Sequence, residues 1–195
     1  MQRNKKIVAA SAILLGAGAA AFAFSKLKKS FPPLNVYPSV DLNKYLGEWY
    51  EIALFPYKYE KCCFNTKAIY SLNEDGTIKV LNICNKNSQH GQLETAEGKA
   101  FIVDKETNAK LKVQFAWPFK GDYWILDVGE NYEYALVGNP SRDNLWILSR
   151  TAKINGNSLK KLKGIATREG FDINKLVFTV QQENLKESVL EKQEV

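Results

Sequence analysis

Whatever reactive chemistry this 195-residue chain carries must come from few groups: Cys62, Cys63, Cys84, the single histidine His90, and scattered acids. A thiol becomes a nucleophile when a nearby base or cluster of cations lowers its pKa. Neither a histidine nor such a cluster stands beside the cysteines in sequence. His90 falls between Gln89 and Gly91 in a turn signal, where it is a solvated loop residue rather than a general base. The acidic pair Glu74-Asp75 also sits in a turn, where carboxylates cap and solvate. The sequence holds no Gly-x-Ser-x-Gly, no phosphate loop and no His/Cys metal spacing. The residues therefore argue against an enzyme, and they imply no metal and no cofactor.

The cysteines have another use in an exported chain, and the N-terminus predicts export. A basic stretch with Arg3, Lys5 and Lys6 precedes an uncharged run over residues 7–24, and Ala21-Phe22-Ala23 is a small-x-small cleavage candidate. As a helix that run would span about 27 Å, at the short end for a bilayer. Residues 1–24 are thus a signal peptide or an N-terminal membrane anchor. The expected location is the periplasm or outer membrane in a bacterium and secretion otherwise, with residues 7–24 as an inner-membrane tether if they are retained. Lys26, Lys28 and Lys29 follow at once and suit anionic lipid head groups, so membrane association is expected. Without Arg3, Lys5 and Lys6, the remaining 24 basic residues nearly balance the 21 acids. No basic stripe alternates with stacking aromatics, which excludes a nucleic-acid partner.

Phe31-Pro32-Pro33 and Tyr37-Pro38 cannot continue a helix, so residues 25–39 read as an extended linker. From Trp49 onward, short runs alternate apolar with polar residues: 49–55, 65–72, 77–84, 97–103, 111–115, 122–128, 133–138 and 145–150. Turn signals at 73–76, 89–91, 105–108, 118–121 and 139–143 make each strand antiparallel to the next. The turn at 73–76 brings Cys84 opposite the start of the preceding strand. Cys63–Cys84 is the favoured bridge, Cys62–Cys84 the next, and a vicinal bridge is strained. After Arg150 the period changes: Leu159, Leu162, Ile165 and Ala166 recur at helical spacing, Asn157 or Ser158 can cap the start, and Gly170 can end it. Residues 175–180 form a last strand, and 183–195 a charged tail. Closing eight strands removes both sheet edges and leaves room for one small ligand. The fold is therefore all-β: an eight-stranded antiparallel up-and-down barrel with one C-terminal helix packed outside.

Two segments carry a family likeness. Gly47-Glu48-Trp49-Tyr50-Glu51-Ile52-Ala53 opens the first strand, and Leu145-Trp146-Ile147-Leu148-Ser149-Arg150 ends the eighth on an arginine that can lie across the indole. With Ala68-Ile69-Tyr70-Ser71-Leu72, Leu111-Lys112-Val113 and Thr167-Arg168-Glu169-Gly170-Phe171-Asp172, they resemble the lipocalins, in particular the bacterial outer-membrane and apolipoprotein D groups. The resemblance covers residues 40–182, the expected barrel domain. It implies structural roles for Gly47, Trp49, Tyr132 and Arg150 at the barrel floor. The family's acid at the turn into the seventh strand is replaced by Gly129. The bacterial group's lipidated cysteine has no counterpart after the leader.

By reference to the family pattern, Trp49 points inward, and the two-residue period then assigns a ligand-lining set: Ala68, Tyr70, Val80, Ala100, Val113, Phe115, Tyr123, Ile125, Ala135 and Trp146. Leu72, Ile78, Asn82, Gly98, Leu111, Val137 and Leu148 share that inward face, with Leu72 and Leu148 in the packed lower layer. Ten buried methylenes supply about 8 kcal/mol before association costs, so an acyl chain suits such a cavity. The resemblance implies a carrier of a fatty acid, lysophospholipid or similar amphiphile, monomeric or a weak homodimer, serving lipid transport or storage in membrane maintenance under stress. Two other readings are a membrane-tethered interaction protein with a filled barrel and a thiol-dependent lipocalin isomerase.

Overall fold

The period-2 alternation predicted from sequence becomes a closed wall. The computed structural model describes residues 31–56 and 62–182. Its strands are β1 (Gly47–Leu54), β2 (Cys63–Leu72), β3 (Ile78–Lys86), β4 (Leu93–Ile102), β5 (Lys110–Ala116), β6 (Phe119–Val128), β7 (Tyr134–Gly138), β8 (Leu145–Ser149) and a two-residue β9 (Val177–Phe178). Each of β1 to β8 pairs antiparallel with its sequence neighbour, and β1 closes the barrel on β8 through Tyr50↔Ser149, Glu51↔Leu148 and Leu54↔Trp146. A bulge between Glu51 and Ala53 bends β1 so that its start faces β2 while its whole second half follows β8. Where β1 leaves β2, the C-terminal segment takes its place: Leu54 pairs with Val177, and the Asn65 amide donates to the Val180 carbonyl at 2.9 Å.

Up-and-down winding sends the connections 73–77, 103–109 and 129–133 to one end, the floor, and 87–92, 117–118 and 139–144 to the other, the mouth, where β1 also ends and β2 begins. Two apolar layers result. One fills the barrel around Trp49, Ile125, Ala135 and Val137. The other lies between the outer wall of β1, β6, β7 and β8 and helix α2 (Gly156–Arg168). Strands β7 and β8 face both layers, which is why their alternation is lost and nearly every residue is buried.

Helix α2 docks through Leu162 and Ala166, both sealed from solvent, and Lys161 reaches Asp127 on β6 at 2.8 Å. That carboxylate and the Tyr134 hydroxyl raise the ammonium's pKa. The helix is capped by Asn155, whose side chain accepts from the Asn157 amide, instead of by Asn157 or Ser158. Gly170, at φ +86°, follows its C-cap as expected. The final strand is shorter than the 175–180 predicted, because Ile173–Lys175 turns as a 3-10 helix.

A single-turn helix α1 (Leu42–Tyr45), capped by Asp41, precedes β1 across the floor. One turn carries too little periodicity to register in the sequence. Among the described residues no helix is long and apolar enough to cross a membrane. The predicted leader over residues 1–24 and the charged tail over 183–195 lie outside the described residues.

Candidate functional site: the barrel interior

The floor is closed by one arginine. Arg150 lies 3.7 Å from the Trp49 ring, and its guanidinium donates to the carbonyls of Glu48 (2.6 Å), Lys44 (2.7 Å), Leu46 (2.8 Å) and Tyr132 (3.2 Å). Planar guanidinium suits this double task, since one face stacks while the edge serves carbonyls. Gly47 stands beside it at φ +91°, a backbone that only glycine adopts freely. Trp49 is fully buried, its indole nitrogen donating to the Tyr45 carbonyl at 2.8 Å. Tyr132 ties the entering chain to the floor, its hydroxyl accepting from the Asp41 amide at 2.7 Å.

The acid missing at position 129 has a replacement that the sequence pattern hides. A Cβ at Gly129 would collide with the Glu133 carboxylate, which occupies that space and accepts from the Asn131 amide at 3.0 Å. The turn into β7 thus keeps a carboxylate, delivered from its far side.

Above the floor an aromatic column climbs the interior: Trp49 to Tyr45 at 5.1 Å between centroids, Tyr45 to Tyr70 at 5.8 Å, Tyr70 to Tyr123 at 6.2 Å, and Tyr123 stacked on Trp146 at 6.3 Å. The Tyr123 hydroxyl is the hub of a three-phenol network, 2.8 Å from that of Tyr45 and 2.9 Å from that of Tyr70. Burial pushes the Tyr45 and Tyr123 phenols well above the usual tyrosine value; the Tyr70 phenol adds to it at both and Tyr45 adds to it at Tyr123, while the hydrogen bond with Tyr123 and the charge of Arg150 oppose it at Tyr45, and both groups stay neutral. Tyr45 was missed in the sequence; its only local signal is its place four residues before Trp49.

The predicted lining set divides by depth. Ala68, Tyr70, Val80, Ala100, Ile125 and Ala135 are buried, Val113, Tyr123 and Trp146 are partly open to solvent, and Phe115 is half-exposed. Phe115 sits near the mouth end of β5 and keeps the inward face, its ring 2.8 Å from where the Cβ of inward Gly98 would lie. Leu72 departs from the inward set: it is 58% exposed at the end of β2, beyond the level where Gly47 pairs with Tyr70. Ala96, unassigned from the sequence, pairs with inward Asn82 and is exposed on the upper wall. Glu51 is buried, accepting from the Thr179 hydroxyl at 2.6 Å.

Cys63 and Cys84 form the disulfide between β2 and β3, and Cys62 is a free, exposed thiol. His90 is exposed in the turn between β3 and β4. The described residues hold no group of His, Cys, Asp or Glu placed to bind a metal.

A closed eight-stranded barrel with a sealed floor, an apolar wall and an external C-terminal helix defines a class of small-ligand-binding β-barrels. The pattern of the lipocalin-like domain matches residues 40–181, and the chain belongs to the lipocalin family. It is 39% identical over 170 residues to the outer membrane lipoprotein Blc of Escherichia coli, covering 86% of this chain and 96% of that one. Temperature-induced lipocalin-1 of Arabidopsis thaliana is 43% identical over 164 residues, 80% of this chain and 87% of the relative. Apolipoprotein D of Macaca fascicularis is 39% identical over 168 residues, 82% and 85% respectively. The solved structure of insecticyanin from the tobacco hornworm superposes with a TM-score of 0.62 at 22% identity, covering 78% of this chain and 87% of that one, which shows the shared fold. Membership of this family accords with binding a small hydrophobic ligand, and these relatives accord with export.

Proposed function

We propose that the protein is a lipid carrier that holds a fatty acid, lysophospholipid or similar amphiphile in its barrel, for lipid transport or storage in membrane maintenance under stress. The observation that carries this reading is the gradient of solvent access along the inward faces. Along single strands the residue nearer the floor is sealed and the next inward one is open: Ala100 against Gly98 and Ala96, Leu111 against Val113, Ile125 against Tyr123, and Leu148 against Trp146. Such a gradient is what a recess open at the mouth would leave. Its wall is apolar, and the phenols at its base offer hydrogen bonds without charge, which suits one chain with one small polar group.

Relatives named an outer membrane lipoprotein and a temperature-induced lipocalin support the setting. Export by residues 1–24 belongs to the same reading. The lining residues that bear on affinity are Tyr70, Val113, Tyr123 and Trp146.

Delipidated protein from Ser25 onward, titrated with a lysophospholipid and with a fatty acid, tests the proposal through tryptophan emission. Trp146 borders the recess, so saturable one-to-one binding near micromolar is expected. A folded barrel whose emission neither ligand changes would overturn the carrier and leave the interaction protein with a filled barrel, which the aromatic column favours.

A further inference from the structure

The two ends of the barrel differ in the apolar surface they show. At the mouth, Trp117 is 87% exposed, Phe119 76%, Leu93 60% and Phe115 47%. Three of these four crowd the tip of the β5–β6 hairpin, joined by the cis-linked Pro118. At the floor only scattered residues such as Leu72 and Val103 are comparably exposed among the described residues. Clustered aromatic side chains at a loop tip cost solubility and are retained where something covers them.

The path of the N-terminal linker says what covers them. Arg142, in the β7–β8 connection at the mouth, donates to the Pro32 carbonyl at 2.8 Å and lies 5.0 Å from the Phe31 ring, while its Nε donates to the Glu169 carbonyl at 2.9 Å. Phe31 is thereby fastened at the mouth end, and from there the linker descends the wall: the Tyr37 amide reaches the Ile125 carbonyl, and the Val40 amide reaches the Thr107 carbonyl in a floor connection. The sequence immediately before Phe31 holds Lys26, Lys28 and Lys29, and before them the uncharged run of residues 7–24. Residues 25–30 can reach at most about 20 Å when fully extended. Whether the leader is retained or removed after Ala23, the chain that carries these lysines in sequence joins the barrel at Phe31, at the end that carries the exposed aromatics. Lys120, next to Phe119, turns its ammonium down the outer wall onto the Phe101 ring at 3.7 Å, a cation–π contact that leaves the hairpin tip itself apolar.

We propose that the barrel docks mouth-first on a lipid bilayer, with Trp117 and Phe119 inserted in the interface, so that the recess opens onto the membrane rather than the aqueous phase. Tryptophan and phenylalanine favour the head-group boundary, and the preceding lysines favour anionic lipid. This orientation does not depend on the carrier reading, since a filled barrel could dock in the same way.

The test uses the full chain reconstituted in vesicles of phosphatidylethanolamine and phosphatidylglycerol. An environment-sensitive fluorophore is placed at Phe119→Cys or at Leu72→Cys, each in a Cys62→Ser background that retains the Cys63–Cys84 bridge. Both positions are exposed, so labelling leaves the core intact. Nitroxide-bearing lipid is expected to quench the label at 119 several-fold more than that at 72, with blue-shifted emission at 119 only. Equal quenching at both sites, or stronger quenching at 72, overturns the proposal. A label at 119 that becomes shielded as protein concentration rises, without lipid quenching, assigns the surface to a second copy and also overturns it. As a label-free measurement, Trp117→Phe should remove a measurable share of the tryptophan signal quenched by brominated lipid. No loss in that variant would count against insertion of the hairpin tip.

Discussion

The floor and the mouth of this barrel are built from opposite materials. At the floor, Arg150 gathers carbonyls from α1, its flanks and the β6–β7 turn beneath a fully buried indole, so polar groups are satisfied and water is kept out. At the mouth, large apolar side chains face solvent, Cys62 is a free thiol, and inward residues are wet. The contrast teaches that cohesion and function occupy different ends of one sheet. Substitutions at the floor should act on stability, and those at the mouth on what the barrel meets.

The largest effect is expected from Trp49→Ala, which should cost about 3–5 kcal/mol by emptying the floor. Denaturant unfolding followed by circular dichroism measures it, and a loss below about 1 kcal/mol would break the distinction between the ends. Arg150→Ala should cost about 2 kcal/mol, because several carbonyls lose their donor while the indole loses its cation. A double-mutant cycle with Trp49→Phe reads the coupling directly.

Tyr123→Phe lies between the two ends and should cost about 1 kcal/mol while keeping the stack on Trp146. It also sharpens a pH effect. In the folded barrel the phenols of Tyr45 and Tyr123 hold their protons to higher pH than in the unfolded chain. Below about pH 10 both states are protonated and stability is unaffected. Above it the unfolded chain binds fewer protons, so stability falls by up to about 1.4 kcal/mol per pH unit for each phenol, until the folded barrel titrates too. Unfolding free energies compared between pH 9 and pH 11 should show a shallower decline for Tyr123→Phe. The smallest stability effect belongs to Trp117→Ala, within about 0.5 kcal/mol, since the side chain packs little. A destabilisation above about 1 kcal/mol would mean that the mouth, too, is part of the cohesive structure.

Much of this architecture is written in local patterns. The strands follow from apolar alternation and their order from the turn signals, because side-chain direction repeats every two residues and turns need particular residue types. The inward face of most strands also follows, since inwardness propagates along a strand from one known position such as Trp49. The same propagation fails at strand ends. Leu72 keeps the right parity and pairs with Ile78, yet it reaches solvent because β1 ends at Gly47, opposite Tyr70, and leaves that side uncovered. Phe115 keeps the inward face over Gly98 and is still half-exposed because it lies at the mouth end of β5. Tyr45 escaped notice because one helical turn has no periodicity. The carboxylate of Glu133 took the place of a missing acid four residues earlier, a substitution in space that position-by-position reading does not detect.

The amino-acid pattern by itself determined that eight strands pair in sequence and close, that a helix follows them, that Arg150 can meet Trp49, and that Cys84 lies within reach of Cys63. These depend on short-range periodicity and on the order of elements along the chain. Only the tertiary structure decided that three phenols converge on Tyr123, that the C-terminal strand fills the gap where β1 leaves β2, and that Arg142 holds Phe31 at the end where Trp117 and Phe119 are exposed. Each of those joins residues separated by many tens of positions, and barrel closure brings them together because tilt and shear, rather than any local preference, set which residues share a level.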